Sequence, residues 1–297
     1  DPAPLNVLYI SRIAREHGIK VLLSGAGGDD LFTGYRRHLA LRTERFWAWL
    51  PRRVRIQMRQ LTCQLPTNHP FSRRLRKAFS GAHLDGDARL VQYFRWIDRS
   101  DLHALYTPDF RAALGKFQTE DPILTFLDGL PKNTPLIERM LALEQRFFLP
   151  DHNLTYTDKM SMSAGIEVRV PFLDLDLVEF ASSIPSQYKQ RGREGKWVLK
   201  KAMEPYLPHD VIYRPKSGFG APLRRWLQVE LRDWLADVLS QERLINRGLF
   251  DPQAVHSLIA DNELGRVDAS YTLFSLACIE IWCKCFIDQQ RVPSANP

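Results

Sequence analysis

The stretch Lys20-Val-Leu-Leu-Ser-Gly-Ala-Gly-Gly-Asp-Asp-Leu-Phe-Thr-Gly-Tyr35 changes character twice. Lys20–Ser24 is a short, mostly apolar run and reads as a buried strand. Gly25-Ala26-Gly27-Gly28 is a glycine-rich turn. Asp29 and Asp30 then place acids in the first turn of a helix, where they complement its positive end. Upstream, Leu5, Leu8, Ile10 and Ile13 recur at helical spacing, and Gly18 stands where a C-cap glycine would. The order is helix, strand, glycine turn, helix. In a parallel α/β sheet, ligands bind at that strand-to-helix turn.

Beyond residue 40 the pattern is helical almost to the end. Helices are expected at 36–62, 71–80, 87–98, 135–149, 174–183, 196–205, 222–239 and 251–262, with a long apolar one at 269–287. The prolines of 63–70 mark a loop. Strand-like alternation is nearly absent, and there is no internal repeat. The expected fold is mostly α with a small α/β remnant: one domain over 1–297, with a strand–loop–helix unit in 1–40 and a helical part in 41–297.

The 297 residues suffice for a sizeable core, and 44% hydrophobic with 25% charged residues is the balance of a soluble globular protein. No apolar run approaches the ~20 residues of a membrane span. The opening Asp1-Pro2-Ala3-Pro4 is no secretory leader, and the missing initiator Met suggests a piece of something longer. Cys63, Cys278, Cys283 and Cys285 include one Cys-x-Cys with no further Cys/His cluster to complete a metal site. Buried, reduced thiols in the cytoplasm are therefore expected.

The net charge is +7, and between Arg36 and Lys77 twelve Lys/Arg face a single acid, Glu44. Such a block suits nucleic acid or an anionic membrane. A solvated helical face is the simpler reading, because no nucleic-acid-binding motif accompanies it.

Three segments carry chemistry. The backbone N–H groups of the glycine turn suit phosphate or an adenylate, although a plain structural turn would account for the glycines by themselves. Asp29 and Asp30 add the hard oxygen ligands that Mg²⁺-pyrophosphate needs. In Asp158–Asp174, the residues Glu167, Arg169 and Asp174 read as a buried structural ion-pair network, with arginine's planar fork at its centre. In Arg214–Pro222, two glycines and two prolines hold Lys216 on a shaped loop, where it could meet phosphate as a point charge.

Together these segments resemble one family. Ser24-Gly25-x-Gly27-x-Asp29-Asp30-x-Phe32-x-Gly34-Tyr35 comes first. Asp158-Lys159-x-Ser161-Met162 follows, with Glu167, Arg169, Pro171, Phe172 and Asp174, then Gly195-Lys196-x2-Leu199, then Arg214-x-Lys216-x-Gly218-Phe219. Order and spacing resemble the C-terminal part of the synthetase domain of glutamine-dependent asparagine synthetases. The resemblance implies an N-terminally truncated domain of the PP-loop ATP-pyrophosphatase group, using ATP and Mg²⁺. It implies a small-molecule carboxylate, aspartate, activated as an acyl-adenylate with release of pyrophosphate. Ammonia from an N-terminal glutaminase domain then amidates it. Ser24, Gly25 and Gly27 resemble the nucleotide-binding residues, Asp29 a Mg²⁺-pyrophosphate ligand, and Lys216 the cation that neutralises pyrophosphate. A homo-oligomer is left open; a membrane partner is not expected, and the motifs argue against nucleic acid.

Three departures qualify the resemblance. The loop Ser-Gly-Gly-x-Asp-Ser is absent, as is the glutaminase domain with its cysteine nucleophile, so the chain by itself is expected to be inactive. Ala26 stands where asparagine-forming members usually carry an acid, with Asp30 the nearest spare carboxylate. Alanine cannot act as a base. An amidotransferase acting on another carboxylate, such as a sugar acid, is therefore the first alternative, and a non-catalytic polyanion-binding module the second.

Overall fold

The computed structural model describes residues 2–65, 69–215 and 219–288. Helix α1 (Ala3–Glu16) leads through Gly18, at φ +72°, into strand β1 (Val21–Leu23). After the glycine turn come α2 (Gly28–Phe32) and α3 (Arg36–Thr43). Strand β2 (Glu167–Arg169) pairs with β1 in parallel, Leu22 opposite Val168. A two-residue antiparallel hairpin, β3 (Gln190–Arg191) and β4 (Glu194–Gly195), follows. Everything else among the described residues is helical or irregular, as the pattern implied.

Among the described residues, the buried apolar side chains gather in three clusters. One, around Leu239, Val255, Leu273 and Ala277, is built mostly from the last third of the chain, with Leu105 from further upstream. A second, around Leu90, Leu127, Met140 and Leu143, occupies the middle. The third is small but decides where the glycine turn sits. Leu31 and Phe32 of α2 pack on Ala181 with Phe172 and Leu173, anchoring the turn on the Pro171–Leu173 segment.

Local breakers interrupt several expected helices. The 36–62 helix stops after Glu44–Phe46 and restarts at Arg52, beyond Pro51. The 222–239 helix breaks at Val229, whose φ of −125° and ψ of −74° leave the helical region. Conversely, 135–149 does not end: Leu136–Leu143 passes into a π-helical stretch, Glu144–Leu154, and on into Thr155–Ser163. Pro150 lies inside that stretch and gives no N–H to the ladder. Rewinding of this kind is frequent at functional sites. Of the 63–70 loop, Pro66–Asn68 lies outside the described residues.

Two expectations about burial fail. The strand is not buried, since Leu23 is 75% exposed. A two-stranded sheet has open edges and open faces, and hydrophobicity alone does not cover them. The cysteines are free, but only Cys283 is buried, while Cys63 and Cys278 are exposed. Cys278 shares an exposed side of the closing helix, Ser270–Phe286, with Trp282 and Phe286.

The basic block is not simply a solvated face. Arg55, 5% exposed, donates Nε to the Leu50 carbonyl (3.0 Å) and Nη1 to those of Ala82 (2.8 Å) and Leu84 (2.9 Å), and its Nη2 meets Asp85 (2.7 Å). Arg76 caps Leu65 O at 2.9 Å, Arg42 caps Gln190 O at 2.9 Å, and Lys77 donates to Gln92 O and Arg95 O. With several donors on a long stem, these side chains satisfy carbonyls that helix ends and loops leave without partners. No helix of the described residues is long and apolar enough to cross a membrane.

Candidate active site

The turn itself is knit by short hydrogen bonds. Ser24 donates its N–H to Arg169 O (2.8 Å), extending the β1–β2 ladder, and its Oγ accepts the Ala26 N–H (3.2 Å). Gly28 N donates to Gly25 O (3.3 Å). Gly25 is exposed, with open space where a side chain would be. Gly27 is different: buried, at φ +89°, with Leu173 Cδ2 only 2.5 Å from the place of a Cβ. Both conformation and close packing require glycine there.

Asp29 and Asp30 are adjacent, and successive helical positions point in different directions, so the two carboxylates part company. Asp29 turns to Lys196, whose Nζ lies 2.9 Å from its Oδ1, both side chains partly exposed. Lys196 is delivered by the β3–β4 hairpin. Its N–H donates to Phe32 O (3.0 Å), it adopts a left-handed φ of +56°, and its Nζ is 3.4 Å from where a Gly28 Cβ would stand. The pair therefore sits directly on the first turn of α2. Lys196 is the residue the sequence reading passed over. Its signal was the Gly195-Lys196-x2-Leu199 motif, to which no role was attached.

Asp30 turns inward and is 1% exposed. Tyr35 Oη donates to both of its oxygens (3.2 Å each), and Gln145 Nε2 donates to its carbonyl (3.2 Å). Asp30 is thus no spare carboxylate for the site. Burial, and next the negative charge of Glu144, push its pKa up to about 6; the Tyr35 hydrogen bond acts the other way. The π-wound stretch surrounds it: Asn153 Nδ2 donates to Tyr35 Oη (3.2 Å), and the Phe148 ring packs edge-on to Tyr35 at 5.6 Å.

The raised value makes a stability prediction. The folded protein keeps a proton on Asp30 that the unfolded chain releases between about pH 4 and 6. Asp30 therefore contributes stability below about pH 4 that is lost as the pH rises through 6. Asp30→Asn removes the titration. Its unfolding free energy relative to the unmodified protein should rise by about 2 kcal/mol from about pH 4 to about pH 7. Denaturant unfolding at the two pH values measures this, and a difference independent of pH would refute it.

The other expected residues fall as follows. Glu167 and Arg169 pair at 2.8 Å, but at 58% and 62% exposure, on one face of an edge strand rather than in a buried network. Asp174 takes no part and instead caps the Leu175–Ser183 helix, accepting from the N–H groups of Asp176 and Leu177. Lys216 lies outside the described residues. Among the described residues no three His, Cys, Asp or Glu side chains cluster as a metal cage. Mg²⁺ commonly takes one or two carboxylates and completes its shell from phosphate and water. Asp29 therefore fits that ion only in company with a bound phosphate.

Similarity to known proteins follows the same residues. A family model described as asparagine synthase matches residues 1–284. The chain belongs to the asparagine synthase family. A Mycobacterium bovis protein named as a glutamine-hydrolysing asparagine synthetase is 29% identical over 300 residues, covering 100% of this chain and 44% of its own length. Asparagine synthetase 1 of Bacillus subtilis is 25% identical over 297 residues, 99% of this chain and 44% of its own. The amidase chyE of Penicillium rubens is 22% identical over 270 residues, 85% of this chain and 39% of its own. The chain spans less than half the length of these asparagine synthase relatives.

Proposed function

We propose that this chain is part of the synthetase domain of a cytosolic, ATP-dependent, glutamine-fed, amide-forming ligase. A carboxylate is adenylated with release of pyrophosphate, and ammonia then displaces the adenylate. The observation that carries the reading is the Asp29–Lys196 pair, seated on the glycine turn that follows β1 in a chain of the asparagine synthase family. Lys196 offers a fixed positive charge where a leaving phosphate group gathers negative charge, and Asp29 aims it. Preorganised charge of this kind is commonly the largest single contribution to catalysis. Ser24 and Gly25 are the proposed nucleotide contacts, with Gly27 shaping the turn beneath them. Lys216 is the proposed second cation. Mg²⁺, held by Asp29 and phosphate, would supply further charge neutralisation.

The exposed β1–β2 pair supports a larger parallel sheet of the PP-loop ATP-pyrophosphatase kind. Two strands are too few to be stable by themselves, and parallel sheets are normally covered on both faces. Residues 1–297 alone should therefore release no pyrophosphate, while the intact protein should do so in the presence of ATP and its carboxylate. Pyrophosphate release is the assay. Turnover by 1–297 at an ordinary rate, on the order of 1 s⁻¹ or more, would overturn the incompleteness. Absence of exchange between ATP and pyrophosphate in the intact protein with every carboxylate tried would overturn the ligase reading.

The acceptor is either aspartate or another carboxylate, such as a sugar acid. Ala26 favours the second, since it leaves the turn without a base.

A further inference from the structure

We propose that His38, locked by Glu144, is a positioning residue for the Asp29–Lys196 pair, acting through the backbone of Gly34; the proposal rests on the reading of that pair as the ligase's phosphate-handling charge. Both side chains are enclosed, His38 at 1% and Glu144 at 0% exposure. His38 Nδ1 accepts the N–H groups of Gly34 (2.9 Å) and Tyr35 (3.2 Å). A ring nitrogen that accepts carries no proton, so the proton lies on Nε2, which donates to Glu144 at 2.9 and 2.8 Å. Glu144 also accepts Arg37 Nε at 2.5 Å, and the Arg37 guanidinium lies over the rings of Tyr35, Phe94 and Phe148 at 4.1, 4.7 and 4.4 Å. One buried carboxylate thus fixes both the tautomer and the orientation of the imidazole.

The imidazole in turn fixes Gly34, at φ +155°. A Cβ on Gly34 would lie 1.9 Å from Asp29 Oδ1 and 3.0 Å from Lys196 Cε, and a Cβ on Gly195 would meet Gly34 Cα at 3.1 Å. The Gly34 main chain is therefore the wall on which the ion pair is seated. The hairpin carrying Lys196 leans on the same atoms. If Nδ1 is removed, two half-buried N–H groups lose this acceptor and must shift to replace it, taking the wall with them. The π-wound stretch, which aims Glu144 at α3, gains a reason in the same geometry.

Two substitutions separate the functions of the ring. In His38→Asn the amide oxygen falls near Nδ1, keeping the acceptor for Gly34 but losing Glu144. In His38→Gln the reverse holds. In the intact protein, the rate of Lys196 acetylation by acetic anhydride, read by mass spectrometry, reports the seating of the pair without requiring activity. Exchange between ATP and pyrophosphate reports kcat and KM. His38→Gln should raise Lys196 acetylation about tenfold and lower kcat about 10²-fold with little change in KM for ATP. His38→Asn, which keeps the acceptor but not the carboxylate that orients it, should lie clearly closer to the unmodified protein than His38→Gln on both. If His38→Gln does not fold by circular dichroism, His38→Leu, which also lacks the acceptor, takes its place. Failure of both to fold would make His38 merely structural and overturn the proposal, as would folded variants in which Lys196 reactivity is unchanged. The expected acetylation pattern in a protein that shows no exchange would count against the ligase reading and leave the positioning role standing.

Discussion

Asp29→Asn and Lys196→Ala are each expected to slow exchange between ATP and pyrophosphate by about 10²–10³ in the intact protein, while the double variant loses little more than either single one. The two groups are 2.9 Å apart and act as a unit, so their effects should be far from additive. Asparagine keeps the shape of aspartate but not its charge, and Lys196 then has no fixed anion to aim it. Alanine at 196 leaves Asp29 as a bare negative charge beside an incoming polyphosphate, which is worse than neutrality. The loss should fall mainly on kcat, because the charge being met develops as pyrophosphate departs. Glutamine hydrolysis by the same protein should continue, which distinguishes a local lesion from misfolding. A change under about threefold in both single variants would return the pair to an ordinary surface ion pair, of the kind worth 0–1 kcal/mol.

Ala26→Glu is the second large effect. Ala26 lies in the middle of the turn, its N–H held by Ser24 Oγ and its neighbours closed by the Gly28-to-Gly25 hydrogen bond. A long carboxylate placed there adds a negative charge two residues from Gly28, over which Lys196 Nζ sits. If Ala26 clears room for an acceptor bulkier than aspartate, the new side chain fills that room and repels an anionic substrate. Native activity should then fall by about 10²-fold or more. If instead the enzyme makes asparagine and has merely lost a base, glutamate should leave the rate unchanged or raise it, since a well-placed general base contributes about 10²–10⁴. The inward-facing Asp30 gives no substitute base, which sharpens the contrast. The experiment is amide formation by the intact protein and by Ala26→Glu, with aspartate and with sugar acids. Efficient asparagine formation by the unmodified protein, with no gain for any other acid, would refute the cleared-space reading.

Much of the local structure was legible in the residues. Gly18 ended α1, the run after it formed β1, and Asp29-Asp30 opened α2, because each signal acts over a turn or less. The helix expected at 36–62 failed where Pro51 follows a short 3₁₀ turn, a breaker whose position was visible but was outweighed by the surrounding helical pattern. Glu167, Arg169 and Asp174 failed differently. Alternation in a strand places Glu167 and Arg169 on one face, but whether that face is covered depends on neighbours that the local pattern does not describe.

The sequence by itself determined the glycine turn, the start of α2, the mostly helical character, and the ordered motifs that mark the family. Those follow from backbone sterics, end charges and short spacings, which act between near neighbours. Only the tertiary structure decided that Asp29 faces Lys196 while Asp30 faces Tyr35, and that the β3–β4 hairpin docks on Phe32 and Thr33, 163 residues earlier in the chain in the case of Thr33. It alone showed that His38 bridges Glu144 to Gly34, and that Arg55 serves three carbonyls and Asp85 inside the fold. Two adjacent acids are equivalent as letters. They become different when packing buries one, raising its pKa by desolvation, and leaves the other at the surface within reach of a cation from a distant hairpin.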